Sequence, residues 1–297
     1  MKTIHVPYLL CLCFLTACAH NNWHGGSKQL FSKELSSTKS DDGEMHSKFK
    51  YYGHFNTVGA VAVIAGHKTD DSARLACFSQ FPDDMWLNYS AVAVAVWGSV
   101  PPFCCYRARI MSSLHSLHGG DAKAVANRRA LLKELIHNSD TRDRDEHWKI
   151  GFLIHALGDS YAHVHTSTCG EKAYGSIFGH GFDCSVKPDY ISQHLDTYDA
   201  YVKNLYEALD GDYSEDQSRH LAEFLSKVRE AAKSKPSVKC AEAAVEDYIT
   251  KAYTYPVDED GSELLEKWKL EVKFCKVNPF LKELHKRLKK QTPLAEK

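Results

Sequence analysis

The chain has 297 residues, 43% hydrophobic and 25% charged, with a formal net charge of −1. That apolar fraction belongs to an ordinary globular protein, not to a disordered or collagenous one. Acids and bases are interleaved, so there is no basic stripe to track a nucleic-acid backbone, which weighs against a nucleic-acid substrate.

Lys2 precedes an apolar run from about Val6 to Ala17, too short to span a bilayer and right for a secretory signal core. It ends in Leu15-Thr16-Ala17-Cys18, which resembles the lipobox of bacterial lipoproteins. The resemblance implies cleavage after residue 17, acylation of Cys18 and tethering to membrane lipid. Ala19 after the cysteine, rather than Asp, implies the outer membrane in a Gram-negative cell. The alternative is an ordinary secretory signal with a chance cysteine.

Residues 18–50 are polar and poor in large apolar groups (Asn21-Asn22, Gly25-Gly26, Ser36-Ser37-Thr38, Asp41-Asp42-Gly43) and read as a flexible tether. From Tyr51 to residue 297 the composition is that of one folded domain, with no second linker. Cysteines follow Cys18 at 77, 104, 105, 169, 184, 240 and 275. Export permits Cys169 to bridge Cys184, Cys240 to bridge Cys275, and Cys77 to join Cys104 or Cys105, with one thiol left over. Spacing fixes no connectivity.

Helical periodicity predicts helices over roughly 55–66, 70–80, 105–117, 121–137, 143–164, 188–209, 214–233, 237–253 and 260–288. Asp70 and Asp71 read as a cap and first turn. Pro188 takes a first helical position, with Ile191, Leu195, Tyr198, Val202 and Leu205 on one apolar face. Ser90–Val100 reads as a strand or as a buried helix, which periodicity alone does not settle. There is no Gly-rich nucleotide loop, no G-x-S-x-G elbow, no internal repeat and no βαβ alternation. The fold class is all-α, a single multi-helix domain.

Within the helix at 143–164 the run Phe152-Leu-Ile-His155-Ala-Leu-Gly158-Asp159-Ser-Tyr-Ala-His163-Val-His165 carries three histidines and an aspartate. Neutral imidazole and carboxylate are the donors that hold a zinc-like ion. His155, Asp159 and His163 are four apart, so they climb one helix face by about 40° per step, while His165 lies about 240° round from Asp159. Further donors stand in Gly53-His54, Ser79-Gln80-Phe81-Pro82-Asp83-Asp84, His115-Ser116-Leu117-His118, His180 with Asp183, and Asp189. Singly, each is more simply a capping, solvated or surface residue; their joint order points to a shared metal site.

That order resembles the superfamily of zinc-dependent bacterial phospholipases C and fungal single-strand nucleases. Its wording, G-D-S-Y-A-H, is nearest a group of uncharacterised bacterial relatives. The resemblance covers roughly residues 51–200 and rests on Gly53-His54, Asp83 or Asp84, His115 or His118, His155, Gly158-Asp159, His165 and His180. It implies an all-helical fold of the phospholipase C and nuclease type holding two or three zinc ions. Three departures stand out. The family's mature N-terminal Trp supplies an amine ligand, whereas here an acylated Cys18 would lie far upstream of His54 and Trp23 is internal. The family breaks the core helix with Pro at the place of His163, so spacing favours His165 as a ligand where helix phase favours His163. The family's closing carboxylate falls on Cys184, which leaves Asp183 and Asp189 as candidates.

The chemistry so implied is metal-assisted phosphoester hydrolysis. His54, Asp83, His115 or His118, His155, Asp159, His163 or His165, His180 and Asp189 are the candidate ligands. Asp83 or Asp84 orients or deprotonates the attacking water, and Tyr190 with the loop 170–181 lines the entrance. A lipid tether makes a phospholipid headgroup the leading substrate. An exported nuclease or nucleotidase, and a non-catalytic metal-binding lipoprotein, are the alternatives.

Overall fold

The computed structural model describes residues 52–84, 88–98, 103–167, 170–175, 190–252, 268 and 272–291. A π-helical turn, Tyr52–Asn56, leads into α1 (Thr57–Ile64), and α2 (Thr69–Asp84) and α3 (Ala91–Trp97) follow. Next, α4 (Cys104–Arg109) runs into a second π-helical turn, Ile110–Leu114, before α5 (Ala122–His137) and α6 (His147–Ala162). A hairpin of β1 (Val164–Ser167) and β2 (Gly170–Ala173) pairs His165 with Lys172. After the 3-10 turn Ile191–Gln193 come α7 (Leu195–Ala208), α8 (Glu215–Lys233), α9 (Val238–Ala252) and α10 (Phe274–Gln291). Among the described residues the fold is all-α apart from that hairpin. No described helix is long and apolar enough to cross a membrane.

The centre of the molecule is α6. Fifteen of its residues are buried and only Lys149 reaches partway out, because its sequence is apolar nearly all round, as an interior helix requires. Its closest neighbour is α2. A Cβ on Gly151 would stand 2.4 Å from Cβ of Phe78, so glycine lets the two backbones approach. Phe81, Tyr89 and Trp148 then pack on Phe152 with ring centroids 5.6–5.8 Å apart. Each buried aromatic of this kind contributes roughly 1.5–3 kcal/mol. The helix ends follow local chemistry. Asp121 accepts the Ala124 N–H at 2.9 Å, and Ser214 caps Gln217, each worth about 1 kcal/mol.

Several boundaries differ from the sequence reading. Of the stretch 90–100, read as a strand or a buried helix, Ala91–Trp97 is helical. The helix expected over 105–117 divides into α4 and a π-helical turn. The one expected over 143–164 stops at Ala162, since the His163 carbonyl accepts the Tyr174 N–H at 3.1 Å and the chain turns into the hairpin. Of the helix expected over 188–209, the described part is a 3-10 turn followed by α7. Of the helix expected over 260–288, the described part is helical at Trp268 and over Phe274–Gln291. Cys240 and Cys275 are exposed and unpaired, so the expected bridge between them is not formed. Cys77 lies buried while Cys104 and Cys105 are exposed. Cys18, Cys169 and Cys184 lie outside the described residues.

Candidate metal centre

Four elements deliver the donors. His54 sits in the first π-helical turn, Asp83 in the last turn of α2, His115 just after the second π-helical turn, and His155 and Asp159 on α6. π-helical turns are uncommon and concentrate at functional sites; here both aim a histidine inward. Ser116, held at φ +53°, turns the chain away directly after His115, and its hydroxyl donates to the Ala156 carbonyl at 2.9 Å.

The donors converge on Asp159. His115 Nδ1 lies 2.9 Å from its Oδ2, and His155 Nε2 lies 3.5 Å from the same oxygen. His54 Nε2 lies 3.1 Å from the other oxygen, Oδ1. His115 Nδ1 and His155 Nε2 are 3.2 Å apart. Asp83 stands slightly back, 3.9 Å from His54 Nε2 and 4.0 Å from His155 Nε2. The three histidines and Asp159 are at most 1% exposed, and Asp83, at 10%, alone reaches towards solvent.

The outer ring nitrogens fix the tautomers. His155 donates Nδ1–H to the Ser79 carbonyl at 2.9 Å, and His115 donates Nε2–H to the Tyr89 carbonyl at 2.7 Å. In neutral rings the inward nitrogens are therefore lone pairs. Two lone pairs and a carboxylate oxygen within 3.5 Å of one another repel unless a cation or proton stands among them. Ligands on a zinc-like ion, each about 2.1 Å from it, are separated by about 3–3.5 Å. The donor set fits a metal. Two triads of donors are close enough to hold one: His115, His155 and Asp159, and His54, Asp83 and His155. They share the single inward nitrogen of His155, so these two triads could not both be filled at once.

Electrostatics agrees. Burial pushes the Asp159 carboxyl up, but the imidazoles that surround it, His163, His155, His115 and His54, hold it well below the usual range. Burial keeps His155 neutral far below its ordinary pKa. Asp83 is pushed up to about 6 by burial, against the opposing charges of His54 and His115.

Of the remaining sequence candidates, His163 reaches the cluster. It follows the last residue of α6, donates Nδ1–H to the His115 carbonyl at 2.6 Å and lies 3.5 Å from Asp159 Oδ2. Its near nitrogen is thus a proton donor that braces His115. His165 is on β1 with its ring against Tyr174, 4.8 Å between centroids. His118 is buried but turned to its own loop, accepting the Gly120 N–H at 3.1 Å. Asp84 is exposed and accepts from Gln80 Nε2 at 3.1 Å. His180, Asp183 and Asp189 lie outside the described residues, while Tyr190 is half-buried ahead of the 3-10 turn. A surface depression of about 560 Å³ lies elsewhere, against His67, His137 and Asp210.

Sequence reasoning missed the residues that act through backbone or shape. Ser79 holds the site from both sides: its carbonyl orients His155 and its hydroxyl donates to the His54 carbonyl at 2.7 Å. Gly158 makes room for His54, whose Cε1 would be 3.2 Å from a Cβ there, and for Tyr201, whose ring would be 3.3 Å away. The glycine of the core motif was visible; what it accommodates was not.

Comparison of the chain with protein-family models, with curated proteins and with solved structures finds no match in any of the three.

Proposed function

We propose that the chain is a metal-dependent phosphoester hydrolase, with zinc as its metal and a phospholipid headgroup ester as its leading substrate. The observation that carries this reading is the meeting of His115 Nδ1, His155 Nε2 and Asp159 Oδ2 within 3.5 Å, each imidazole tied at its outer nitrogen to a backbone carbonyl. Such outer contacts fix ring orientation in metal sites. The resemblance of the motif order to zinc phospholipases C and nucleases supports the reaction class, and the lipobox-like Leu15–Cys18 supports an exported, lipid-anchored chain at the outer membrane.

His115, His155 and Asp159 would hold the ion. A bound zinc ion would polarise a phosphoryl oxygen and lower the pKa of water beside it. Asp83 is placed to take the proton of an attacking water, because at 10% exposure it is the least enclosed member of the cluster and a carboxylate beside a cation stays ionised. Asp159, enclosed and ionised, supplies fixed negative charge. His163 keeps His115 in place through its carbonyl.

A second reading, a structural metal without catalysis, draws on the burial of the ligands. The test is hydrolysis by the purified protein of phosphatidylcholine vesicles and, in parallel, of single-stranded DNA, before and after chelation. Chelator-sensitive release of headgroup phosphate supports the proposal. Cleavage of DNA alone transfers it to the nuclease class. A metal-loaded protein inert on both leaves the structural reading.

A further inference from the structure

We infer that His54, which heads the sequence's order of candidate ligands, is a positioning residue for Asp159 and not a ligand. The inference rests on the metal reading above and refines it. It comes from how the three rings lie. His115 and His155 are perpendicular, at 85° with centroids 5.0 Å apart, so their in-plane lone pairs can meet at one point near the 3.2 Å gap between them. His54 is instead stacked on His155, with centroids 4.3 Å apart and planes at 30°. The lone pairs of stacked rings run side by side, so they do not converge on one point as those of His115 and His155 can. His54 also addresses the opposite oxygen of the carboxylate. Its Nε2 is 3.1 Å from Asp159 Oδ1, whereas His115 and His155 face Oδ2.

The role that fits is donation of the His54 Nε2–H to Oδ1, which leaves Oδ2 turned towards the ion. A hydrogen-bonded carboxylate is the ordinary outer contact of a ligating Asp, and loss of such a contact typically lowers metal affinity 10–100-fold without removing the site. The fixing of His54 agrees with this. The Ser79 hydroxyl holds its carbonyl at 2.7 Å, and Gly158 lets its ring lie flat against α6.

Glutamine separates the two roles. Its Nε2 amide can replace the donor Nε2–H, but an amide is a poor ligand for zinc. Zinc affinity and stoichiometry of the full chain should be measured for wild type, His54→Gln and His54→Leu, alongside X-ray absorption on the zinc-loaded wild type. The expected result is one ion per chain with two imidazoles in its coordination shell. His54→Gln should bind within about threefold of wild type, and His54→Leu 10–100-fold more weakly. A shell of three imidazoles, or a second ion lost from His54→Gln, would overturn the assignment while leaving the metal reading intact. A wild-type chain that binds no zinc would remove both.

Discussion

His115 Nδ1 and His155 Nε2 face each other across 3.2 Å, although the outer nitrogen of each ring already donates to a backbone carbonyl. In a metal-free neutral chain this is a repulsive contact in a water-excluded place. A cation placed between the two nitrogens would relieve it.

Asp83 gives the clearest pH signature. Its carboxyl titrates near 3.8 when exposed in the unfolded chain and near 6 in the metal-free fold. A folded pKa above the unfolded one means that the contribution to stability is complete below about pH 3.8 and is lost as pH rises through 6. Asp83→Asn should make the metal-free protein more stable than wild type at pH 8, by on the order of 3 kcal/mol, while abolishing hydrolysis. Urea unfolding of both apo proteins at pH 5 and pH 8 checks this. A variant no more stable at pH 8 than wild type would contradict it.

Gly151 tests the closeness of α2 and α6. A methyl group there would meet Phe78 Cβ at 2.4 Å and the Ser79 nitrogen at 2.9 Å. Gly151→Ala should cost about 1–3 kcal/mol by overpacking. It should also weaken metal binding, because the displaced strip of backbone includes the carbonyl that orients His155. Denaturant midpoints and zinc titration measure the two effects, and a variant equal to wild type in both would refute the packing argument.

His118 makes an acid-side prediction. Burial, with Arg128 and Arg129 nearby, lowers its pKa from 6.5 to about 3. The unfolded chain takes up a proton near pH 6.5 and the folded chain does not, so this residue's contribution is complete above pH 6.5 and shrinks as pH falls towards 3. Between pH 6.5 and 5 the loss is on the order of 2 kcal/mol. His118→Gln should flatten the fall of stability over that interval; an unchanged slope would show that the ring is solvated.

How much of this could be read beforehand varies by residue. The all-α class and α5, α8 and α9 were legible, because amphipathic spacing acts locally. His54, Asp83, His155 and Asp159 were legible as donors, and the structure brings them together. The choice of His115 over His118 was not, since it depends on Ser116 at positive φ and on the π-helical turn before it. His163 was placed on the right face by helix phase, yet the helix ends one residue earlier, for a reason that lies in the hairpin partner Tyr174. The Ser79 and Tyr89 carbonyls carry no residue signature, so no reading of side-chain types could have found them.

Metal binding should be visible as stability. Zinc at 100 times its dissociation constant adds about 2.7 kcal/mol to a fold that binds it only when native. For a domain of this size that is a rise in melting temperature of roughly 5–10 °C, reversed by a chelator. Asp159→Asn should abolish the shift. A shift that persists in that variant would place the ion elsewhere.

The most direct measurement is anomalous diffraction at the zinc edge on crystals of the zinc-loaded protein. The expected result is a peak bounded by His115 Nδ1, His155 Nε2 and Asp159 Oδ2. A loaded crystal with no anomalous density between those three atoms would contradict the metal centre, and the hydrolase proposal with it.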